Sequence, residues 1–114
     1  MISSELPIHR HCVDLISAIV DMGKDFPKAY KYSLYDKILE LAVTLLEPLE
    51  MANRSIGNPA RRTEYIEIFL GKFNTIKTLI RLCNEKKLIS LKMASRIALM
   101  ADEIGKQATA WKNR

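Results

Sequence analysis

Several things are scarce in this chain of 114 residues. There are only two cysteines, Cys12 and Cys83, and they lack the paired spacing of a metal site. Both fall on apolar helical rows, which predicts buried free thiols and a reducing cytoplasm as the setting. Glycine and proline number four each, which suits helices joined by short connections. No apolar run approaches the roughly 18–20 residues of a membrane span. The start, Met1 to His11, lacks the basic region and apolar stretch of a secretory leader. No stretch alternates with the period of two that a half-buried strand requires. Catalytic patterns are missing too. There is no glycine-rich phosphate loop, and no Glu stands three residues before a His as in di-iron bundles. His9 and His11, two apart, point in different directions on a helix and are not expected to hold a metal. Glu47 and Glu50 read as solvated surface or as partners for Lys37 and Arg54. Ser33 and Ser90 read as helix caps, since no motif places a histidine to activate them. The reading is therefore no enzyme, no cofactor and no metal.

What is present is helix. At 48% hydrophobic the chain has enough apolar material for a core, and residues 1–114 fit one domain. Ser4 is the expected cap of the first helix, with Pro7 in its first turn. Ile8, Cys12, Leu15, Ile19 and Met22 form its apolar stripe, and Gly23 ends it. Asp25-Phe26-Pro27-Lys28 reads as a connection. A second helix, capped by Ser33, carries Leu34, Ile38, Leu41, Leu45, Leu49 and Ala52, with a kink expected at Pro48. Gly57-Asn58-Pro59 separates it from a third helix, which starts near 60–63 and carries Ile66, Phe69, Phe73, Ile76, Ile80 and Cys83. A fourth, capped by Ser90, carries Ile97, Ala101, Ile104, Ala108 and Trp111. This predicts an all-α fold, an antiparallel up-and-down four-helix bundle. Leu39, Leu46, Met93, Leu99 and Met100 lie off the main stripes and suggest a second apolar surface for self-association.

The charge is unevenly placed. Between Lys72 and Arg96 stand seven bases, Lys72, Lys77, Arg81, Lys86, Lys87, Lys92 and Arg96, against one acid, Glu85. That stretch is net +6, while the whole chain is +5. A concentrated positive field attracts polyanions and gives binding that weakens with salt; a solvated, solubilising surface is the alternative. Lys77 with Arg81, and Lys92 with Arg96, are four apart and project from one side of a helix. Lys28 and Lys31 flank Tyr30 and Tyr32, a mixture suited to phosphates and stacked bases; packing of the tyrosines against helix ends is the alternative. Arg61-Arg62 at a helix start opposes the helix dipole and would serve a partner or fray.

Several short motifs recur in order. Phe26-Pro27-Lys28 leads through Tyr32-Ser33-Leu34 into the leucine-rich helix that ends at Ala52-Asn53. Arg62-Thr63-Glu64-Tyr65 then opens a helix running into Leu79-Ile80-Arg81-Leu82-Cys83. Leu88-Ile89-Ser90, Glu103-Ile104-Gly105-Lys106 and Trp111-Lys112 follow. Over roughly residues 20–113 this order resembles the accessory variability determinant (Avd) proteins of diversity-generating retroelements. The chain departs from that pattern at Tyr35-Asp36, where Gly-Gln is usual, and at Thr109-Ala110, where Gly-Gly precedes the tryptophan. The resemblance implies a basic, homopentameric barrel of four-helix protomers without a catalytic centre. It implies binding to the element's reverse transcriptase and to nucleic acid, RNA or DNA, in support of mutagenic reverse transcription. Lys28 and Arg81 are the basic positions matched by motif; Lys77, Lys92 and Arg96 are added on charge. The competing expectation is a structural homo-oligomer or protein-binding scaffold without nucleic-acid affinity.

Overall fold

The computed structural model describes residues 6–114, and among them there are helices and no strand. We label the main helices α1 (Pro7–Met22), α2 (Asp36–Val43), α3 (Leu46–Arg54), α4 (Pro59–Glu85) and α5 (Leu91–Lys112). Helices α2 and α3 both pack on α1 and α4 and make one rod, so the bundle has four rods. Neighbours in sequence are neighbours in space, and α5 closes the ring against α1. The rods alternate in direction. His11 near the start of α1 meets Gln107 near the end of α5, while Asp21 at the end of α1 meets Arg96 near the start of α5. The result is the expected antiparallel four-helix bundle, 47 Å long and 23 × 21 Å across. The 27 residues of α4 rise about 40 Å at 1.5 Å each and span most of that length.

The three–four spacing of apolar residues dictates the core. Ile8, Cys12, Leu15, Ile19 and Met22 of α1 are buried, and so are Ile66, Phe69, Phe73, Ile76, Ile80 and Cys83 of α4. Ile38, Leu45 and Leu49 fill the second rod's side, and Ile97, Ala101, Ile104 and Ala108 that of α5. Phe69 and Phe73 stack at 5.6 Å between ring centres. Leu39, Leu46, Met93 and Met100 are half-buried against this core, whereas Leu99 is 73% exposed.

The helix ends show where local rules hold and where they yield. Ser90 caps α5, its Oγ accepting from the Met93 N–H at 3.1 Å. Asn58 caps α4 by accepting from the Arg61 N–H, and Pro59 occupies the first helical position, so α4 starts slightly before the expected 60–63. The expected cap Ser4 lies outside the described residues; Leu6 holds the cap position of α1 without a side-chain bond, ahead of Pro7. Ser33 is a correction. It is not a cap, because the chain is already helical from Lys28, with one α-turn at Lys28–Tyr30 and a π-turn at Lys31–Tyr35. Pro48 is another. The helix splits rather than kinks, with a turn at Thr44 and Leu45 between α2 and α3. Pro48 has no N–H for the Thr44 carbonyl and its ring crowds that carbonyl, so the ladder opens one turn upstream of the proline.

Tyr35 explains the π-turn's neighbourhood. Its hydroxyl donates to the carbonyls of Ile19 (3.0 Å) and Val20 (3.3 Å) in the last turn of α1. Its ring tilts against Phe26 at 5.5 Å and lies directly over Gly23. At the hairpin beside it, at the same end of the rod, α4 ends in a Schellman turn. Leu88 N–H bonds Cys83 C=O and Lys87 N–H bonds Asn84 C=O, with Lys87 in the left-handed region at φ 58°.

Candidate functional site

The antiparallel topology gathers charges that the sequence keeps apart. The connection after α1 and the connection before α5 lie at the same end of the rod, because Asp21 and Arg96 touch there. The segments that build this end, residues 18–36 and 77–96, hold nine bases and four acids, net +5. This equals the surplus of the entire chain, so the rest is neutral. Lys28, Lys77, Arg81, Lys92 and Arg96 all belong to this cationic end. So do Lys31, Lys86, Lys87 and Lys24. Sequence reading passed over Lys24, whose one signal is its place directly after the helix-ending Gly23.

The five residues share an end but not a flank. Lys77 and Arg81 open into a groove between α4 and α5. Lys77 is half-buried, its Nζ 5.6 Å from the centre of the Phe73 ring, a cation–π distance that holds the stem across the core. Arg96 lies on the α1 side, where its Nη1 is 3.6 Å from Asp21 Oδ2. Lys24 Nζ meets the same carboxylate at 3.5 Å. Asp21 thus tempers one flank of the positive end. Among the described residues no carboxylate lies within 4.0 Å of Lys28, Lys77, Arg81 or Lys92. Tyr32 is 76% exposed, while Tyr35 is buried; the two tyrosines of this connection serve different ends. Burial pushes the Tyr35 hydroxyl up from its ordinary range, helped by the negative charges of Asp36 and Asp21, so it stays a donor.

The remaining candidates disperse. His9 Nε2 sits 3.9 Å from Glu50 Oε1, and His11 Nδ1 is 2.8 Å from Gln107 Nε2, so the two imidazoles face different rods. Among the described residues no three His, Cys, Asp or Glu side chains are grouped to hold a metal ion. Cys12 and Cys83 are fully buried free thiols. Arg62 does not fray: its guanidinium donates to the Arg114 carbonyl at 3.0 Å. Among the described residues no helix is long and apolar enough to cross a membrane.

A family model described as bAvd-like matches residues 6–114. The chain belongs to the bAvd-like family. Comparison with curated proteins returns no match. Membership supports an accessory role in diversity-generating retroelements and implies association with the element's reverse transcriptase.

Proposed function

We propose that the chain is a non-catalytic accessory protein of a diversity-generating retroelement, acting as one four-helix domain in the cytoplasm. Its cationic end binds single-stranded nucleic acid, the template RNA and its DNA copy, and helps to seat the reverse transcriptase. The observation that carries the reading is the convergence of Lys28 with Lys77, Arg81, Lys92 and Arg96 at one end of a chain of this family. Exposed Tyr32 stands among those cations as a stacking surface for a base.

Five phosphate contacts to a single strand would give a salt slope near −3.5, or roughly a hundredfold loss of affinity between about 50 and 200 mM salt. Fluorescence anisotropy on a labelled RNA oligonucleotide measures it. Combined Lys77→Glu and Arg81→Glu substitution weakens binding while circular dichroism stays helical. RNA affinity that survives the reversal and stays flat with salt defeats the proposal.

A second reading is a structural homo-oligomer or protein-binding scaffold without nucleic-acid affinity. Val13 and Val20 of α1 and Val43 of α2, each between 43% and 52% exposed, favour an apolar interface. Both readings accommodate a homopentamer. Light scattering tests it: five chains of 13.0 kDa give about 65 kDa. A ring that ignores RNA selects the second reading.

A further inference from the structure

We infer that the groove between α4 and α5 is a docking site for an acidic amphipathic helix of a protein partner, overlapping the nucleic-acid contact only at the Lys77 and Arg81 head groups on its rim. This rests on the reading of the chain as a partner-binding accessory protein. Two hollows, of 310 and 360 Å³, meet at Phe73, Lys77, Ala101 and Asp102 and form one continuous channel. It runs from Leu70 to Asn84 on α4 and from Ala94 to Thr109 on α5. Fourteen residues of helix make a channel about 20 Å long, which matches a partner helix of about 14 residues.

Shape and charge select the occupant. The floor is apolar, with Leu15 of α1, Phe73 and Ile97 at its base. The α5 wall is low, because Ala94, Ala98 and Gly105 carry almost no side chain. A third backbone therefore approaches closely, as in ridge-and-groove packing. The α4 rim carries Lys77 and Arg81, and Lys106 stands at the far end of the α5 wall. Among the described residues none of these three has a carboxylate at ion-pair distance. Asp102 on the opposite wall is the groove's single acid. A fitting helix thus presents an apolar ridge, carboxylates on the flank facing α4, and neutral or basic residues on the flank facing Asp102. A nucleic-acid strand satisfies the rim cations but leaves the apolar floor wet, so it is the poorer occupant.

The test uses the full chain and synthetic helical peptides of about 14 residues. One has a leucine ridge and a glutamate flank, one replaces glutamate with lysine, and one scrambles the glutamate peptide. Anisotropy is expected to show the glutamate peptide binding at least about tenfold tighter than the other two. Ala98→Trp, which fills the groove from an exposed position, should abolish that preference, with Ala94→Leu as a second filler. Both should leave RNA affinity and helicity unchanged. Equal binding of the scrambled peptide, indifference to both fillers, or a change of solution mass on filling overturns the inference; the last makes the groove an interface between copies. Loss of RNA binding by the wild-type chain instead defeats the proposed function and leaves the groove result standing.

Discussion

Gly23→Ala should destabilise the protein although its backbone would accept alanine. Gly23 has φ −67° and ψ −22°, an ordinary right-handed conformation. On that ground alone alanine gains about 0.5–1 kcal/mol by restricting the unfolded chain. The added methyl, however, would lie 2.7 Å from Tyr35 Cε2 and closer still to Cζ and Oη. The Tyr35 ring has nowhere to retreat, since its hydroxyl is held by Ile19 and Val20 and its other side meets Phe26. Overpacking of this kind costs about 1–3 kcal/mol. Dragging the hydroxyl's single proton off the two carbonyls that share it adds about 1 kcal/mol. The net expectation is a loss of about 2 kcal/mol, read by urea unfolding followed by circular dichroism. Tyr35→Leu removes the ring atoms that collide. In that background Gly23→Ala should turn neutral or stabilising, which a double-mutant cycle measures directly. A Gly23→Ala effect of the same size in both backgrounds would refute the steric argument.

Three further outcomes follow from other details. Lys87→Gly should raise stability by about 0.5–1 kcal/mol, because glycine occupies the left-handed region without the Cβ penalty; RNA affinity should fall with the lost cation, so the two readouts move in opposite directions. Burial pushes the Cys12 thiol up from 9.0 to about 12. The unfolded chain then loses its proton first, so the stability from this site is intact below pH 9, declines as pH rises through 9 to 12, and amounts to roughly 4 kcal/mol at most. Urea titrations at stepped pH should show that decline, and Cys12→Ala should shrink it, leaving the shares of Cys83 and Tyr35, which burial also pushes up. Asp21→Asn should change stability by less than about 1 kcal/mol, since its two partners are exposed, yet raise RNA affinity by unmasking Lys24 and Arg96.

The bundle was legible in the sequence because core stripes obey a local period. Every stripe residue assigned to α1, and every one assigned to α4, is buried. Ser90 was legible for the same reason, since a cap is satisfied within three residues. Ser33 misled because cap chemistry is only a local preference. Tyr35 reaches back sixteen residues to α1, and that tertiary anchor sets the geometry of the turn. Pro48 announced a disturbance but not its form; the turn at Thr44 and Leu45 is the consequence of a clash one turn upstream. The charged end was half legible. The run from Lys77 to Arg96 is contiguous, but Lys28 joins it only through antiparallel packing. The Arg96–Asp21 pair spans most of the chain and has no signal in spacing. The groove was not legible at all, because Ala94, Ala98 and Gly105 look like filler until two helices set them opposite Lys77 and Arg81.

A rod 47 Å long with its whole surplus charge at one tip is a strong electric dipole. Near a polyanion it feels a torque as well as a pull. Tumbling is biased before contact, and the molecule arrives tip-first. Orientation at the moment of encounter is then a property of the charge distribution, set while solvent still separates the two molecules.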